Sequence, residues 1–204
     1  MLELINKGGV IMYLILPLSI VAFAIIIERL LYFRKIKVDE DKMINRLKVT
    51  MEKRHYDEAL AICESNPSPV TNLLKVGIEH KKYGPQIMKD AVVDAAALEI
   101  PRLERNLSTL GTIANIAPLL GLLGTVIGNI GAFNIMHDMA GVGSDPALLA
   151  GNISVALLTT AAGIIVALPA VIFYNYLVAK VNHIVIRLEN RVNAMVLLLT
   201  EGKE

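Results

Sequence analysis

The sequence has 204 residues, of which 54% are hydrophobic and 19% charged, and its formal net charge is +1. A mean hydropathy of +0.55 is too high for an ordinary soluble domain, and the absence of a basic cluster gives no indication of nucleic-acid binding. The single cysteine, Cys63, excludes an intrachain disulfide and a metal site built from several cysteines.

A first membrane span is predicted close to the N-terminus. Residues 8–27 carry no charged side chain, and a helix needs about 20 apolar residues to cross a bilayer. Four basic residues follow between Arg29 and Lys37, and basic residues mark the cytoplasmic end of a span. Because they follow the apolar stretch, a signal peptide is not indicated. We therefore expect residues 1–7 to form a short head on the outer side.

Residues 28–105 are predicted to form a cytoplasmic helical region, in which a core of its own would be marginal. Asp39 is a candidate N-cap for a new helix after the first span. Two further helices are expected before and after the breaker at residues 66–69. From Gln86 a helix should continue into the second span without a loop. Its expected inner residues are Met88, Val92, Ala95, Leu98 and Leu103.

Two more charge-free stretches, residues 106–136 and 146–179, are each long enough to cross a membrane. Residues 137–145 between them contain two Asp and no Lys or Arg, so we expect an outer turn, and the tail 180–204 begins with Lys180 and should lie inside. The sequence thus predicts an all-α integral membrane protein with three transmembrane helices, N-terminus out and C-terminus in. The second and third helices should be very long and extend into the cytoplasmic helical region.

Small residues follow one side of each of the last two spans. At 3.6 residues per turn, the first stripe is Ala114, Pro118, Gly121, Thr125, Gly128 and Ala132, and the second is Asn152, Ala156, Thr159, Gly163, Val166 and Ala170. Small residues let helices approach closely in lipid, whereas hydroxyl and amide groups there need a partner or water. The stripes either pack against protein or line a hydrated path, and the periodicity leaves both open.

Motifs for catalysis are missing from the sequence, which contains no G-x-S-x-G, P-loop, H-E-x-x-H or dinucleotide fingerprint. We expect no enzyme activity, no cofactor and no metal site. The spans contain hydroxyl and amide groups but no Asp, Glu, Lys or Arg. Since an ion path usually needs an ionisable group at membrane depth, a proton path through these helices would need a carboxylate from a partner protein.

Two motifs carry a family resemblance. Residues 113–128, IANIAPLLGLLGTVIG, and residues 153–163, ISVALLTTAAG, resemble the second and third membrane helices of the MotA/TolQ/ExbB proton-channel family. The segment EALAIC at residues 58–63, before a proline-rich break, is similar to the cytoplasmic part of ExbB and TolQ. The resemblance covers nearly the whole chain, and three spans rather than four favour the ExbB/TolQ branch over MotA.

The resemblance implies a bacterial inner-membrane protein that forms a ring of five copies. Two copies of a single-span ExbD/TolR-like partner would bring an aspartate into the pore. Proton flow, or sodium flow in some relatives, would drive movement and deliver work to a TonB-like protein or to the envelope machinery. Family pore threonines match Thr125 and Thr160, and neighbouring faces add Thr159 and Asn129. The helix-packing positions are Pro118, Gly121, Gly128, Gly163 and Pro169.

One position departs from the family pattern. ExbB and TolQ of the best-known kind carry a glutamate in the third span, and this sequence has Val155 there. Two hypotheses follow, an ion-driven motor subunit and a non-conducting membrane scaffold of the same fold, and Val155 favours the second. A sodium-driven relative is a variant of the first. A membrane enzyme is a third hypothesis that no motif supports.

Overall fold

The structure is a computed structural model that describes residues 9–53, 55–138 and 146–201. Within these ranges the regular structure is entirely helical. The predicted head at residues 1–7 lies outside the described residues, as does most of the predicted outer turn at 137–145.

The described chain contains six α-helices: α1 (Gly9–Glu52), α2 (Tyr56–Ser65), α3 (Pro69–His80), α4 (Pro85–Glu104), α5 (Leu107–Asp138) and α6 (Pro146–Glu201). A short 3₁₀ helix, Lys81–Tyr83, joins α3 to α4. Three stretches are long and apolar enough to cross a membrane: Gly9–Lys35, Pro85–His137 and Leu149–Arg191. The predicted all-α fold class with three spans is confirmed, and the orientation of the spans stays a prediction.

The chain divides into two compact units. The first unit comprises residues 1–28 and 106–177, and the second comprises residues 29–105 and 178–204. The first unit buries small side chains of α5 and α6 together with large ones such as Ile15, Leu110 and Leu177. The second unit buries large side chains that include Phe33, Leu47 and Leu74. In the second unit, α3 packs against both α2 and α4.

The start of α3 shows why the proline-rich break at residues 66–69 both ends one helix and begins the next. The hydroxyl of Ser68 accepts a hydrogen bond from the backbone N–H of Thr71 at 3.2 Å, and the hydroxyl of Thr71 accepts one from the N–H of Ser68 at 2.7 Å. This reciprocal capping box satisfies two otherwise free donors, and Pro69 at the first turn needs none.

Helix α1 runs without interruption from Gly9 to Glu52, so the prediction that a new helix begins at Asp39 is wrong. A capping residue favours a helix start only where the preceding helix has stopped. The sequence has no Gly or Pro between Leu18 and Asn66 that would stop it.

The prediction of one continuous helix from Gln86 into the second span is also wrong. Helix α4 ends at Glu104 and α5 begins at Leu107. Between them Asn106 has a φ of +62°, a left-handed conformation that Asn adopts more readily than most residues. Its side-chain Nδ2 donates to Oε2 of Glu28 at 3.2 Å. This tertiary hydrogen bond accompanies a break that helical periodicity alone does not reveal.

The predicted inner side of α4 is partly wrong. Met88, Val92 and Leu103 are buried, but Leu98 is 72% exposed and Glu99 is only 6% exposed. Oε1 of Glu99 accepts hydrogen bonds from Nδ2 of Asn72 on α3 at 2.9 Å and from Nη1 of Arg102 at 2.8 Å. Because these two donors satisfy the carboxylate, α4 can turn Glu99 inward and leave the apolar Leu98 outside.

Candidate functional site

Helices α5 and α6 approach each other until backbone touches backbone. A Cβ atom placed on Gly163 of α6 would lie 2.6 Å from the carbonyl oxygen of Ala117, and one on Gly128 of α5 would lie 2.7 Å from Cβ of Ala156. Real Cβ atoms essentially never come within 3.0 Å of such neighbours. A Cβ on Gly121 would lie 3.1 Å from the carbonyl oxygen of Thr159. Glycine is therefore required where the two helices cross.

The two small-residue stripes face each other across this contact. Ala114 and Ala117 of α5 and Ala156 and Ala170 of α6 are all buried. Packing between α5 and α6 thus accounts for the stripe residues at this contact, which are Gly121, Gly128, Ala156, Thr159 and Gly163. A further glycine, Gly124, lies against the side chain of Thr159 and was missed in the sequence, although its spacing of three and four residues from Gly121 and Gly128 was a signal.

Thr159 lies inside the helix pair, with none of its surface exposed. Its hydroxyl donates to a backbone carbonyl of its own helix, with the oxygen of Ala156 at 2.9 Å and that of Val155 at 3.1 Å. The sequence analysis predicted both Thr159 and Thr160 to line an ion path. Neighbouring helical residues point about 100° apart, and only one of the two reaches the edge of the pair.

Thr160 lies at that edge and connects the two helices. Its hydroxyl donates to the carbonyl oxygen of Gly121 on α5 at 3.0 Å. In a regular helix the same carbonyl accepts the backbone N–H of Thr125, one turn further along. Thr125 is half-buried, and its hydroxyl donates to the carbonyl oxygen of Leu122 at 2.6 Å. The side chain of Thr160 therefore reaches α5 one turn before Thr125.

Asn129 follows Thr125 by one turn on the same side of α5 and is exposed. We call Thr125, Asn129 and Thr160 the polar edge of the α5–α6 pair. The side chain of Thr160 thus reaches α5 one turn before Thr125 and about two turns before Asn129. The fourth predicted ion-pathway residue, Thr159, is buried inside the pair.

Val155, at the position of the family glutamate, faces the start of α1. A Cβ placed on Gly9 would lie 3.7 Å from Cγ1 of Val155. Val155 precedes Thr160 by five residues, so the two side chains point about 140° apart around α6. The position therefore lies away from the polar edge.

Titratable groups do not gather into a site in the described part of the chain, where no group of three or more His, Cys, Asp or Glu could hold a metal ion. In the second unit, burial raises the pKa of the Cys63 thiol to about 11, so the thiol is protonated at neutral pH. A hydrogen bond from Lys75 at 2.6 Å lowers the pKa of Glu64 and raises that of Lys75. These shifts indicate structural contacts rather than a catalytic group.

Comparison with known proteins points to one family. Residues 65–190 match the family model described as the MotA/TolQ/ExbB proton channel family. A protein of Methanothermobacter thermautotrophicus named as a biopolymer transport protein ExbB homolog is 35% identical over 193 residues, which cover 92% of this chain and 66% of that protein.

Two bacterial relatives align over shorter stretches. The biopolymer transport protein ExbB of Aquifex aeolicus is 38% identical over 108 residues, which cover 53% of this chain and 71% of that protein. The Tol-Pal system protein TolQ of Haemophilus influenzae is 43% identical over 89 residues, which cover 42% of this chain and 37% of that protein.

Proposed function

We propose, since this chain belongs to the MotA/TolQ/ExbB proton channel family and to its ExbB/TolQ branch, that it is a ring-forming subunit of an ion-driven motor. The family is one of channel and transport proteins, and the three apolar helices make the chain a membrane protein. We place it in the inner, cytoplasmic membrane of a bacterial cell. Its work would be the energising of transport or of processes in the envelope.

The polar edge is the observation that carries this proposal. The hydroxyls of Thr125 and Thr160 both donate their protons to backbone carbonyls. A threonine hydroxyl used as a donor keeps its oxygen lone pairs as acceptors. The two threonines therefore offer oxygen acceptors, which suit a hydrated proton or another cation.

The polar edge has no carboxylate of its own, since residues 107–136 and 146–177 contain no Asp or Glu. Proton transfer along it needs an ionisable group from another chain. A single-span ExbD/TolR-like partner with an aspartate at membrane depth would supply that group. In a closed ring, five copies of the polar edge would surround this partner, and movement of one component against the other would reach a TonB-like protein.

A second candidate function is a non-conducting membrane scaffold of the same fold. Val155 favours it, because an apolar residue beside α1 replaces the family's acidic side chain. A sodium-driven motor is a variant of the main proposal. Measuring ion flux in liposomes with and without sodium distinguishes it from a proton-driven motor.

The test is ion flux in liposomes that contain the full chain co-purified with its single-span partner. We expect Thr160→Val to abolish flux while the ring still assembles, because the change removes the hydroxyl at the polar edge and keeps the side-chain volume. Thr112→Val is the matched control, because the hydroxyl of Thr112 donates to the carbonyl of Ser108 about 140° around α5 from Thr125. Full flux with Thr160→Val would overturn the assignment of the polar edge.

A further inference from the structure

Helix α5 exposes two lines of residues that run side by side at the same depths. Asn115, Leu122 and Asn129 are spaced by seven residues, which is close to two full turns, and we call them the amide strip. The residues that directly follow them form the second line, the apolar strip: Ile116, Leu123 and Ile130. All six side chains are exposed in the described chain.

The two amides of this strip differ from the hydroxyls around them in one respect. The hydroxyls of Thr112, Thr125 and Thr160 each donate to a backbone carbonyl. The side-chain amides of Asn115 and Asn129 form no hydrogen bond with any described residue. A primary amide has two N–H donors and an acceptor oxygen, and leaving them without partners in hydrocarbon is strongly unfavourable. The amide strip therefore does not face lipid.

The backbone beside Asn115 adds a further acceptor. In a regular helix the carbonyl of Ala114 accepts the N–H of the residue four positions later, and that residue is Pro118, which has no N–H. The carbonyl of Ala114 is thus left without its regular helical donor, one turn from Pro118 and next to Asn115.

We propose that Asn115 lines the ion path, and that water follows the amide strip over the roughly 21 Å of helix between Asn115 and Asn129. This rests on the proposed function and extends it, because the path then has a neutral amide on each side of Thr125. An amide oxygen can replace part of the hydration shell of a cation without adding a fixed charge. Asn115 would therefore act as a selectivity residue toward the start of α5.

Paired cysteine substitutions test this proposal at constant depth. In the full chain with its partner, and with the buried Cys63 changed to Ser, two pairs are compared: Asn115→Cys with Ile116→Cys, and Leu122→Cys with Leu123→Cys. The probe is a positively charged, membrane-impermeant methanethiosulfonate applied to permeabilised membranes. Leu122→Cys is the sharper variant, because the native side chain is apolar and only its position on the strip predicts contact with water.

We expect the cysteine on the amide strip to react at least about tenfold faster than its neighbour in both pairs, because only a hydrated thiol meets the charged probe. Equal rates within both pairs, or faster reaction on the apolar strip, would overturn the proposal. Fast reaction at Asn115→Cys without fast reaction at Leu122→Cys would contradict the proposal that water follows the whole amide strip.

Ion flux separates this inference from the function on which it rests. We expect Asn115→Leu to reduce flux at least about tenfold and Asn115→Gln to restore most of it. If Thr160→Val abolishes flux and Asn115→Leu does not change it, the inference fails and the proposed function stands. If the amide strip is labelled but Thr160→Val conducts normally, the hydrated strip stands and the assignment of Thr160 fails.

Discussion

The α5–α6 pair in the first unit and the α2–α4 bundle in the second unit satisfy their polar groups in different ways. Between α5 and α6, glycines bring the backbones together, and Thr159 and Thr160 donate to backbone carbonyls. The α2–α4 bundle also has hydroxyls that donate to backbone carbonyls, but it adds pairs between side chains, Asn72 with Glu99 and Lys75 with Glu64.

This difference follows from the solvent that each region is expected to meet. In lipid no hydrophobic force draws helices together, so close van der Waals contact between small residues provides the attraction. The second unit is expected to lie in water, where exposed charged side chains stay hydrated and large apolar residues such as Leu74 can form a core. Within the polar edge, Asn129 is an exception to the pattern of its region, because its side chain has no partner within the described residues.

The largest expected effect comes from filling the contact between α5 and α6. Gly163→Val would place its Cβ against the carbonyl of Ala117, where the rigid backbone cannot give way. We expect the stability of the helix pair to fall by at least about 3 kcal/mol, which is the upper end of the usual cost of overpacking. We also expect the assembled ring to be lost. Thermal unfolding in detergent and the size of the purified complex measure both.

Gly151→Val is the matched control for this change. It adds the same side chain to the same helix, but a Cβ on Gly151 has no atom within 4 Å to meet. Similar losses for the two variants would show that helix propensity, and not contact between the helices, accounts for the effect.

A smaller effect is expected from the buried carboxylate of the second unit. Glu99→Ala would leave Nδ2 of Asn72 without its acceptor, and we expect a loss of about 1–3 kcal/mol in the free energy of unfolding. Glu104→Ala, on the exposed side of the same helix, should change stability by less than about 0.5 kcal/mol. If the two variants unfold alike in urea, the side-chain pairing does not stabilise the bundle as we describe.

The smallest effect concerns pH. Lys75 lowers the pKa of Glu64, so the pair contributes stability above the ordinary carboxyl pKa of 4.5, and this contribution is lost as the pH falls through the lowered value. Both side chains are solvent-exposed, and the contribution is correspondingly small. Melting temperatures should fall slightly more for the native chain than for Glu64→Gln between pH 7 and pH 3. Parallel curves would contradict this.

Much of the fold could be predicted from local sequence properties. The three spans follow from their length and lack of charge. The end of α2 and the start of α3 follow from the proline-rich break at residues 66–69. The break at Asn106 and the inward position of Glu99 could not be predicted, because each accompanies a hydrogen bond to a distant residue, Glu28 in one case and Asn72 in the other.

The candidate site shows the same limit. Family resemblance indicated Thr125 and Thr160, and periodicity placed Asn129 near them. Periodicity could not separate Thr159 from Thr160, because which of two neighbouring residues faces a partner helix depends on how the helices are rotated in the packed structure. Nor could it show that the carbonyl of Gly121 is where α5 and α6 share a hydrogen bond.

We propose that this chain provides the walls of an ion path and that a partner protein provides the carboxylate. The most direct test measures ion flux in liposomes that contain the chain with its single-span partner, in the native form and with the partner's membrane aspartate changed to asparagine. We predict flux with the native partner and its loss with the asparagine form. Equal flux with both forms would contradict the claim, and absence of flux with either would favour the scaffold.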